Sequence, residues 1–212
     1  MADPTDLTLA SYQEHVDAYL DAALDTVWPI FAAVLDDLVE RSAGGRVLEI
    51  GSGPGTEARY LEERGLEVDR TDATPAFVER LQRSGYRARL LDIRHGDLGG
   101  PYDAVLANAV LLHLERSRLE PALAACHAAT RPGGHFLFTL KEGDGEGWST
   151  AKLDAPRWFV YWREPELRRA LDRAGWDVIR LEHAEGRNDP WLLVLCRRPQ
   201  ARSAVTNSRY IP

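Results

Sequence analysis

The stretch VLEIGSGPG, residues 47 to 55, decides the fold. It begins with a short apolar run that contains one carboxylate, Glu49, and it continues with three glycines in five residues. The next segment, EARYLEERG, has the pattern of a helix that ends at Gly65. A strand, a glycine turn and a helix in this order are typical of α/β proteins, in which the turn brings backbone amides and a helix end close to a ligand.

Strands and helices are predicted to alternate along the rest of the chain. The predicted strands are 67–72, 86–93, 135–143, 176–186 and 190–198, together with YDAVLANAVLLHL at 102–114, a strand that ends at Asn108-Ala109 and runs into a helix. The predicted helices are 74–85, 115–130 and 163–176, with RPGG at 131–134 as a turn. Such alternation implies a parallel sheet with right-handed crossovers and helices on both faces. A ligand site is expected at the carboxyl ends of the first strands, where the strand order reverses.

The sequence predicts three further segments in addition to the strands and helices of this α/β unit. Residues 1–40 form a predicted N-terminal helical cap, because apolar positions recur at helical spacing from 11 to 40 and Pro29 divides them into two helices. The domain proper is 41–198. Within it, the Gly- and Trp-rich segment 142–162 is a predicted insertion on the substrate side, and 199–212 is a predicted loose tail.

Composition and charge narrow the classes of partner and compartment. The 212 residues are 44% hydrophobic and 28% charged, which fits one globular domain, and the net charge of -7 disfavours a phosphate backbone as partner. Cys126 and Cys196 have no neighbours at metal-ligand spacing, so neither a metal site nor a disulfide is expected. The acidic N-terminal segment is unlike a signal peptide, and no apolar run reaches the ~18 residues of a membrane span. We therefore expect a cytoplasmic monomer or homodimer that acts on a small molecule.

Three classes of cofactor compete for the glycine turn. A P-loop is excluded because the turn ends Gly55-Thr56-Glu57 and lacks the Lys that phosphate requires. The dinucleotide pattern fits Gly51 and Gly53 but has Thr56 at its sixth position, so a dehydrogenase stays a remote alternative. Glu49 disfavours a pyrophosphate nearby and suits a ligand that carries an ammonium group and a sulfonium.

With these residues, the sequence resembles the class I S-adenosylmethionine-dependent methyltransferases. Their first motif is an acidic residue followed by Gly-x-Gly-x-Gly, here Glu49, Gly51, Gly53 and Gly55, and the likeness continues through residue 198 with Asp72, Asp92-Ile93, YDAVLANAVLLHL and RPGG. The resemblance implies a three-layer α/β sandwich with seven strands in the order 3-2-1-4-5-7-6, of which strand 7 is antiparallel. It also implies S-adenosylmethionine as cofactor and S-adenosylhomocysteine as product.

The cofactor-binding residues follow partly from position and partly from this resemblance. Asp72 lies at a strand end about 20 residues past the glycine turn, where a carboxylate accepts both ribose hydroxyls; its alternative role, capping the next helix, suits Thr74 better. By resemblance, Asp92 and Ile93 meet the adenine, and Asn108 lies below the methionine part. The full predicted set is Tyr12, Glu49, Gly51, Ser52, Gly53, Gly55, Asp72, Ala73, Asp92, Ile93, Asn108 and Ala109.

The methyl acceptor leaves fewer signals in the sequence. Methyl transfer is an in-line displacement, so the protein mainly aligns the acceptor and sometimes removes a proton. His113 is the candidate general base because it follows the fourth strand and an imidazole titrates near neutral pH; a half-buried helix start is the alternative. The candidate acceptor-binding residues are His15, Lys141, Trp148, Arg157, Trp158 and Tyr161. Aromatic rings beside cations suit a planar or anionic acceptor, although part of this run must be core.

The sequence therefore predicts an enzyme that transfers methyl from S-adenosylmethionine to an oxygen or nitrogen of a small molecule, without a metal. A methyltransferase of tRNA wobble bases is the second hypothesis, and the acidic surface counts against it. A non-catalytic regulatory subunit that binds S-adenosylmethionine is the third.

Overall fold

The computed structural model of the chain describes residues 3–23, 25–151 and 153–200. In these ranges the helices are α1 (Pro4–Glu14), α2 (Val16–Asp21), α3 (Pro29–Arg41), α4 (Thr56–Glu62), α5 (Pro75–Arg83), α6 (Leu119–Ala129) and α7 (Glu164–Arg173), with single 3-10 turns at Leu111–His113 and Arg116–Arg118. The strands are β1 (Arg46–Ile50), β2 (Glu67–Asp72), β3 (Ala88–Leu90), β4 (Tyr102–Ala107), β5 (Thr130–Lys141), β6 (Glu146–Ser149), β7 (Arg157–Val160), β8 (Asp177–Glu185) and β9 (Pro190–Arg197).

Seven of these strands form one sheet in the order β3-β2-β1-β4-β5-β9-β8. The first five pair in parallel, and β9 runs antiparallel to both β5 and β8. Because β8 and β9 are the sixth and seventh strands of the predicted sheet, the predicted order 3-2-1-4-5-7-6 with its antiparallel last strand is confirmed.

Neighbouring residues of the central strands enter two separate hydrophobic clusters. Val47 and Ala104 pack with the α3 side chains, whereas Leu48 and Val105 pack in the cluster that contains α6 and α7. Successive side chains of a strand point to opposite faces, so helices cover both faces of the sheet. This three-layer arrangement leaves the carboxyl edge of the parallel strands as the place where a ligand can enter.

The N-terminal segment departs from the predicted pair of helices. Helix α3 does begin at Pro29, as predicted. A helix also begins earlier, at Pro4, because Asp3 caps it by accepting a hydrogen bond from Thr5 N and proline favours the first helical position. The helix is interrupted at His15, which separates α1 from α2.

The turn predicted at RPGG is wrong, because residues 131–134 lie inside β5. The register with β4 shifts there, between the pairs Tyr102–Thr130 and Ala104–His135. Gly133 N donates to Arg198 O, and Arg198 N donates to Gly134 O, so the segment stays bonded to the end of β9. Long-range pairing thus replaces the local turn that the Pro-Gly-Gly sequence favours.

The segment 142–162 contains a two-stranded antiparallel sheet that the sequence did not reveal. Strands β6 and β7 pair with Trp148 opposite Trp158. The predicted tail 199–212 lies outside the described residues from 201 onward. None of the described helices is long and apolar enough to cross a membrane.

Candidate active site

A cleft of about 720 Å³ lies along the carboxyl edge of β2, β1 and β4, between this edge and helices α1 and α2. Its size is that of a site for a drug-sized ligand or cofactor. Of the residues predicted to bind the cofactor, those that line it are Tyr12, Gly51, Ser52, Gly53, Asp72, Ala73, Asp92, Ile93, Asn108 and Ala109. Glu49 and Gly55 are not among the lining residues.

The glycine turn after β1 has a backbone that requires glycine. Gly51 has φ +72°, and a Cβ placed on it would lie 2.3 Å from Val110 Cγ2. Gly53 has φ +48°, and a Cβ there would meet nothing within 4 Å. The first glycine therefore allows the segment after β4 to approach the turn, and the second leaves open space in the cleft.

Asp72, at the end of β2, is buried beside this turn. Its Oδ2 accepts from Gly53 N at 2.9 Å and its Oδ1 accepts from Thr74 N at 2.8 Å. Burial raises the pKa of Asp72, and the two backbone donors act in the opposite direction. Thr74 is the N-cap residue of α5, as predicted, but its side chain makes no capping hydrogen bond. The Asp72 carboxylate thus ties the turn to α5 while it lines the cleft.

Glu49 lies below the turn rather than on the cleft surface. Its side chain is 2% exposed, and Oε2 has no hydrogen-bond partner among the described residues. Burial, helped by the nearby carboxylate of Glu57, raises the pKa of Glu49 to about 8. A positive charge placed in the cleft would stabilise the ionised form of this carboxyl.

Asp92 faces the cleft but already has a strong partner. Arg94, itself 5% exposed at its side chain, pairs with Asp92 at 2.6 Å and also with Asp3 at 2.9 Å and Asp6 at 2.7 Å. Burial acts to raise the pKa of Asp92, but the hydrogen bonds from Arg94 lower it below its usual value. Arg94 therefore fastens α1 to the adenine end of the predicted cofactor site.

Helix α1 is held over the cleft by hydroxyl groups as well as by Arg94. Thr5 Oγ1 donates to His113 O, Trp158 N donates to Thr8 Oγ1, and Ser11 Oγ donates to Pro156 O, at 2.9, 2.9 and 2.6 Å. Thr5, Thr8 and Ser11 share one buried helix face. We call α1 and α2 together the N-terminal cover.

His113 and Tyr12 form a hydrogen-bonded pair on the cleft wall. His113 Nδ1 lies 2.6 Å from Trp158 O, an oxygen that can only accept, so Nδ1 carries the proton and Nε2 is free to accept. The Tyr12 hydroxyl, 3.0 Å from Nε2, is the donor to it. Burial lowers the pKa of His113 to about 3 and raises that of Tyr12. The imidazole is therefore neutral near pH 7, with both nitrogens engaged.

None of the six residues predicted to bind the acceptor is among the described residues that line the cleft. His15 ends α1, where its Nδ1 bonds Ser11 O. Lys141 and Tyr161 both reach Asp189, at 2.6 and 3.5 Å. Trp148 packs edge-to-face on Trp158, and Arg157 lies behind Tyr12 with Nη1 3.5 Å from its hydroxyl. Their partners hold these side chains in the packing around the cleft.

Other residues that line the cleft carried no clear signal in the sequence. They are Thr5, Thr8, Tyr19, Trp28, Glu57, Thr139, Arg187, Asn188 and Trp191. Glu57 lies two residues after Gly55, so its place in the sequence next to the glycine turn could have identified it as a residue of the cleft. Trp28 is about 160 positions before Arg187 and Trp191 in the chain, and only the folded structure brings Trp28 and Trp191 against one hydrophobic cluster.

S-adenosylmethionine fits the residues that are present. Open space at Gly53 leaves room beside the turn, Asp72 can accept from ribose hydroxyls, and Ile93 offers an apolar surface to a purine ring. The carboxylates of Glu49, Glu57 and Asp72 lie near one another, since Glu57 and Asp72 both act on the pKa of Glu49. A ligand with cationic groups suits Glu57 and Asp72, the two of these carboxylates that line the cleft.

Comparison with known proteins agrees with this geometry. Residues 12–181 match the family model described as a methyltransferase domain. Hemagglutinin 1 of Eikenella corrodens is 28% identical over 161 residues, which are 73% of this chain and 51% of that protein. The ubiquinone biosynthesis O-methyltransferase of Pectobacterium atrosepticum is 26% identical over 140 residues, or 62% of this chain and 57% of that protein. The chain thus spans about half the length of these curated relatives.

Two solved structures show the same fold. The 1,6-didemethyltoxoflavin-N1-methyltransferase of Burkholderia thailandensis, with its substrate and S-adenosylhomocysteine bound, superposes with a TM-score of 0.71 at 24% identity and covers 94% of this chain and 92% of its own. The magnesium protoporphyrin IX methyltransferase of Synechocystis, with S-adenosylmethionine bound, has a TM-score of 0.74 at 15% identity and covers 93% and 98%.

Proposed function

The chain belongs to the class I S-adenosylmethionine-dependent methyltransferases, and from this premise we propose that it methylates an oxygen or nitrogen atom of a small-molecule acceptor without a metal ion. The observation that carries the proposal is the division of one cleft into two ends. The glycine turn, Asp72 and Ile93 line one part of the cleft, and His113 with Tyr12 lines another.

The cofactor lies along the carboxyl edge of the sheet. Strand order places Ile93 after β3, Asp72 at the end of β2, Gly51 and Gly53 after β1, and Asn108 after β4. Adenine, ribose and methionine parts follow in that order from β3 to β4. When bound, the cofactor supplies an activated methyl group on sulfur, and the chain supplies alignment.

The acceptor binds beside Tyr12 and His113. Tyr12, which the sequence predicted to bind the cofactor, thus serves the acceptor instead. Since Nε2 of His113 accepts from Tyr12, the imidazole takes part through the phenol: it fixes the direction of the Tyr12 hydroxyl, whose oxygen can then bond a donor group of the acceptor. With its pKa lowered to about 3, His113 is a weak base, so its contribution is to orient Tyr12.

The far end of the cleft favours a planar acceptor. Trp28 and Trp191 line it, together with Arg187, whereas Tyr19 packs on Tyr12 and Phe77. Aromatic rings stack on flat ligands, and a guanidinium adds attraction for an anionic or electron-rich one. The names of two similar proteins specify an O-methyltransferase in one case and an N1-methyltransferase in the other, which supports both kinds of acceptor atom.

The test is methyl transfer from S-adenosylmethionine labelled on the methyl group. The wild-type chain is incubated with a panel of small phenols, aromatic amines and nitrogen heterocycles, and separately with bulk tRNA at low salt. We expect label in a small molecule and none in tRNA.

Tyr12→Phe in the same assay should lower the transfer to that small molecule. Label in tRNA alone would contradict the proposal in favour of an RNA substrate. Binding of S-adenosylmethionine without transfer to either panel or to a cell extract would favour a regulatory subunit.

A further inference from the structure

Glu57 is a half-buried carboxylate on the cleft wall that the motif of the family does not include. It lies in the first turn of α4, two residues after Gly55, and it lines the cleft. We propose that Glu57 is the counter-ion of the ammonium group of S-adenosylmethionine and thereby fixes the methionine half of the cofactor, an inference that rests on the proposed function.

The position of Glu57 along the cleft identifies the part of the cofactor that it meets. Asn108 Nδ2 donates to Glu57 Oε1 at 2.8 Å, so the carboxylate stands where β1 and β4 leave the sheet. Asp72 and Ile93 stand on the other side of β1, toward β2 and β3. Since those two residues mark the ribose and adenine, the amino-acid half of the cofactor is the part that reaches Glu57.

A hydrogen-bond chain fixes the direction of this carboxylate. Ala109 N donates to Thr139 Oγ1, and Thr139 Oγ1 donates to Asn108 Oδ1, each at 2.8 Å. Because its oxygen accepts from Thr139, the Asn108 amide must present its NH2 group to Glu57. The Glu57 carboxyl is thus held in one direction, as an acceptor from Asn108, in advance of the ligand, which reduces the ordering cost of binding.

Among the residues that the structure describes, no cation forms an ion pair with Glu57. Arg59 acts on its pKa, but that guanidinium donates to Pro54 O and lies 3.4 Å from Thr56 Oγ1. Arg70 is taken by Glu62 in a two-point ion pair. Burial raises the pKa of Glu57. The carboxylate of Glu57 in turn helps to raise the pKa of Glu49. An ammonium group would stabilise the ionised form of both carboxyls, whereas a ligand carboxylate would be repelled.

The test compares three ligands by calorimetry with the full chain: S-adenosylmethionine, S-adenosylhomocysteine and 5′-methylthioadenosine. The first two carry the ammonium group, and the third keeps adenine and ribose but lacks the amino-acid half. The variant is Glu57→Gln, which keeps size and a hydrogen-bonding oxygen. The control is Glu63→Gln, the same change at an exposed position just after α4.

We expect Glu57→Gln to bind the two ammonium ligands about tenfold more weakly, or about 1.4 kcal/mol, and to bind 5′-methylthioadenosine within about twofold of wild type. Glu63→Gln should match wild type for all three. The retained binding of 5′-methylthioadenosine also shows that the variant is folded.

Two results would overturn the inference while leaving the proposed function intact. Unchanged binding of all three ligands would show that Glu57 does not contact the ammonium group. An equal loss for all three would show that it supports the adenosine half or the fold. If wild type bound neither S-adenosylmethionine nor its product, the proposed function would fail, and this inference with it.

Discussion

The two ends of the cleft are built in different ways. At the cofactor end, the turn residues Gly51 and Gly53 are neighbours in sequence, and Asp72 of the next strand accepts a hydrogen bond from Gly53 N. At the acceptor end, the bonds join residues more than 100 positions apart, such as Thr5 with His113 and Thr8 with Trp158. The comparison teaches that a backbone-defined cofactor site leaves a local signal in the sequence, whereas an acceptor site assembled from distant segments leaves little.

The largest expected effect is at the cofactor end, in Gly51→Ala. A left-handed residue other than glycine costs about 1–2 kcal/mol, and a contact with Val110 at 2.3 Å adds overpacking of about 1–3 kcal/mol. Because the turn must shift, we expect S-adenosylmethionine to bind at least about 100-fold more weakly by calorimetry.

Gly44→Ala is the matched control for this change. Gly44 has φ +69°, but a Cβ there meets nothing within 4 Å, so only the backbone cost applies. A lower melting temperature with unchanged cofactor affinity is expected. Equal affinity loss in both variants would remove the special role of the close approach at Gly51.

The next effect is at the acceptor end, in Tyr12→Phe and His113→Gln. Because the pair orients the acceptor, we expect turnover to fall by about 30-fold with little change in cofactor affinity, a loss confined to the acceptor step. Since burial lowers the pKa of His113 to about 3, titration of this histidine should cause no change in the turnover rate between pH 5 and 8.

The stability of the fold depends on His113 in a different way. The unfolded histidine takes up a proton near pH 6.5 and the folded one only near pH 3, so its contribution to stability is lost as pH falls through that interval. In His113→Gln the acid side of the stability curve should be flatter. For turnover, the contrary result would be a change in the wild-type rate near pH 6.5 that disappears in His113→Gln. It would show that the histidine titrates as a base.

A smaller effect is expected in Arg94→Gln, because Arg94 joins the start of α1 to Asp92 on the cleft wall. Without its guanidinium, Asp3, Asp6 and Asp92 face one another unpaired and the N-terminal cover loosens. Amide hydrogens of residues 4–14 should exchange faster, and the cofactor should dissociate about tenfold faster. Arg163→Gln, at an exposed ion pair with Asp144, is the control and should leave both rates unchanged. An unaltered exchange rate in Arg94→Gln would show that the hydroxyl bonds alone hold α1.

The smallest effect is a proton linkage at Glu49. With its pKa raised to about 8, this carboxyl is mostly protonated at pH 7, and a cationic ligand favours its ionised form. Cofactor binding should therefore release protons, and affinity should rise about threefold from pH 6 to pH 9 if the ligand lowers the pKa by half a unit. Calorimetry in buffers of different ionisation enthalpy measures the release, and Glu49→Gln should abolish it. Proton uptake instead would contradict this assignment.

Much of the sheet and of the cofactor end could be predicted because the relevant signals are local. The apolar run at 47–50 followed by glycines with positive φ specifies strand and turn within nine residues. Asp72 follows from its place at the end of a strand. The strand order followed from the family resemblance rather than from pattern alone.

What the sequence did not reveal depends on pairing between distant segments. RPGG has the local composition of a turn, yet bonds to Arg198 keep it in β5. Trp148 and Trp158 lie opposite each other and pack edge-to-face across β6 and β7, a pairing of strands that the sequence pattern did not indicate. Arg94 lies in a segment with the sequence pattern of a loop. It pairs with its neighbour Asp92 and also with Asp3 and Asp6 from the distant N-terminal segment. Such partners are selected by the packed structure and not by spacing along the chain.

A calorimetric titration of the full chain with S-adenosylmethionine tests the cofactor site directly. We expect one site of micromolar affinity, lost in Asp72→Ala and Gly53→Val and retained in Asp172→Ala, an exposed aspartate on α7. No binding to wild type at millimolar ligand, or undiminished binding to Asp72→Ala, would contradict the placement of the cofactor along the carboxyl edge of the sheet.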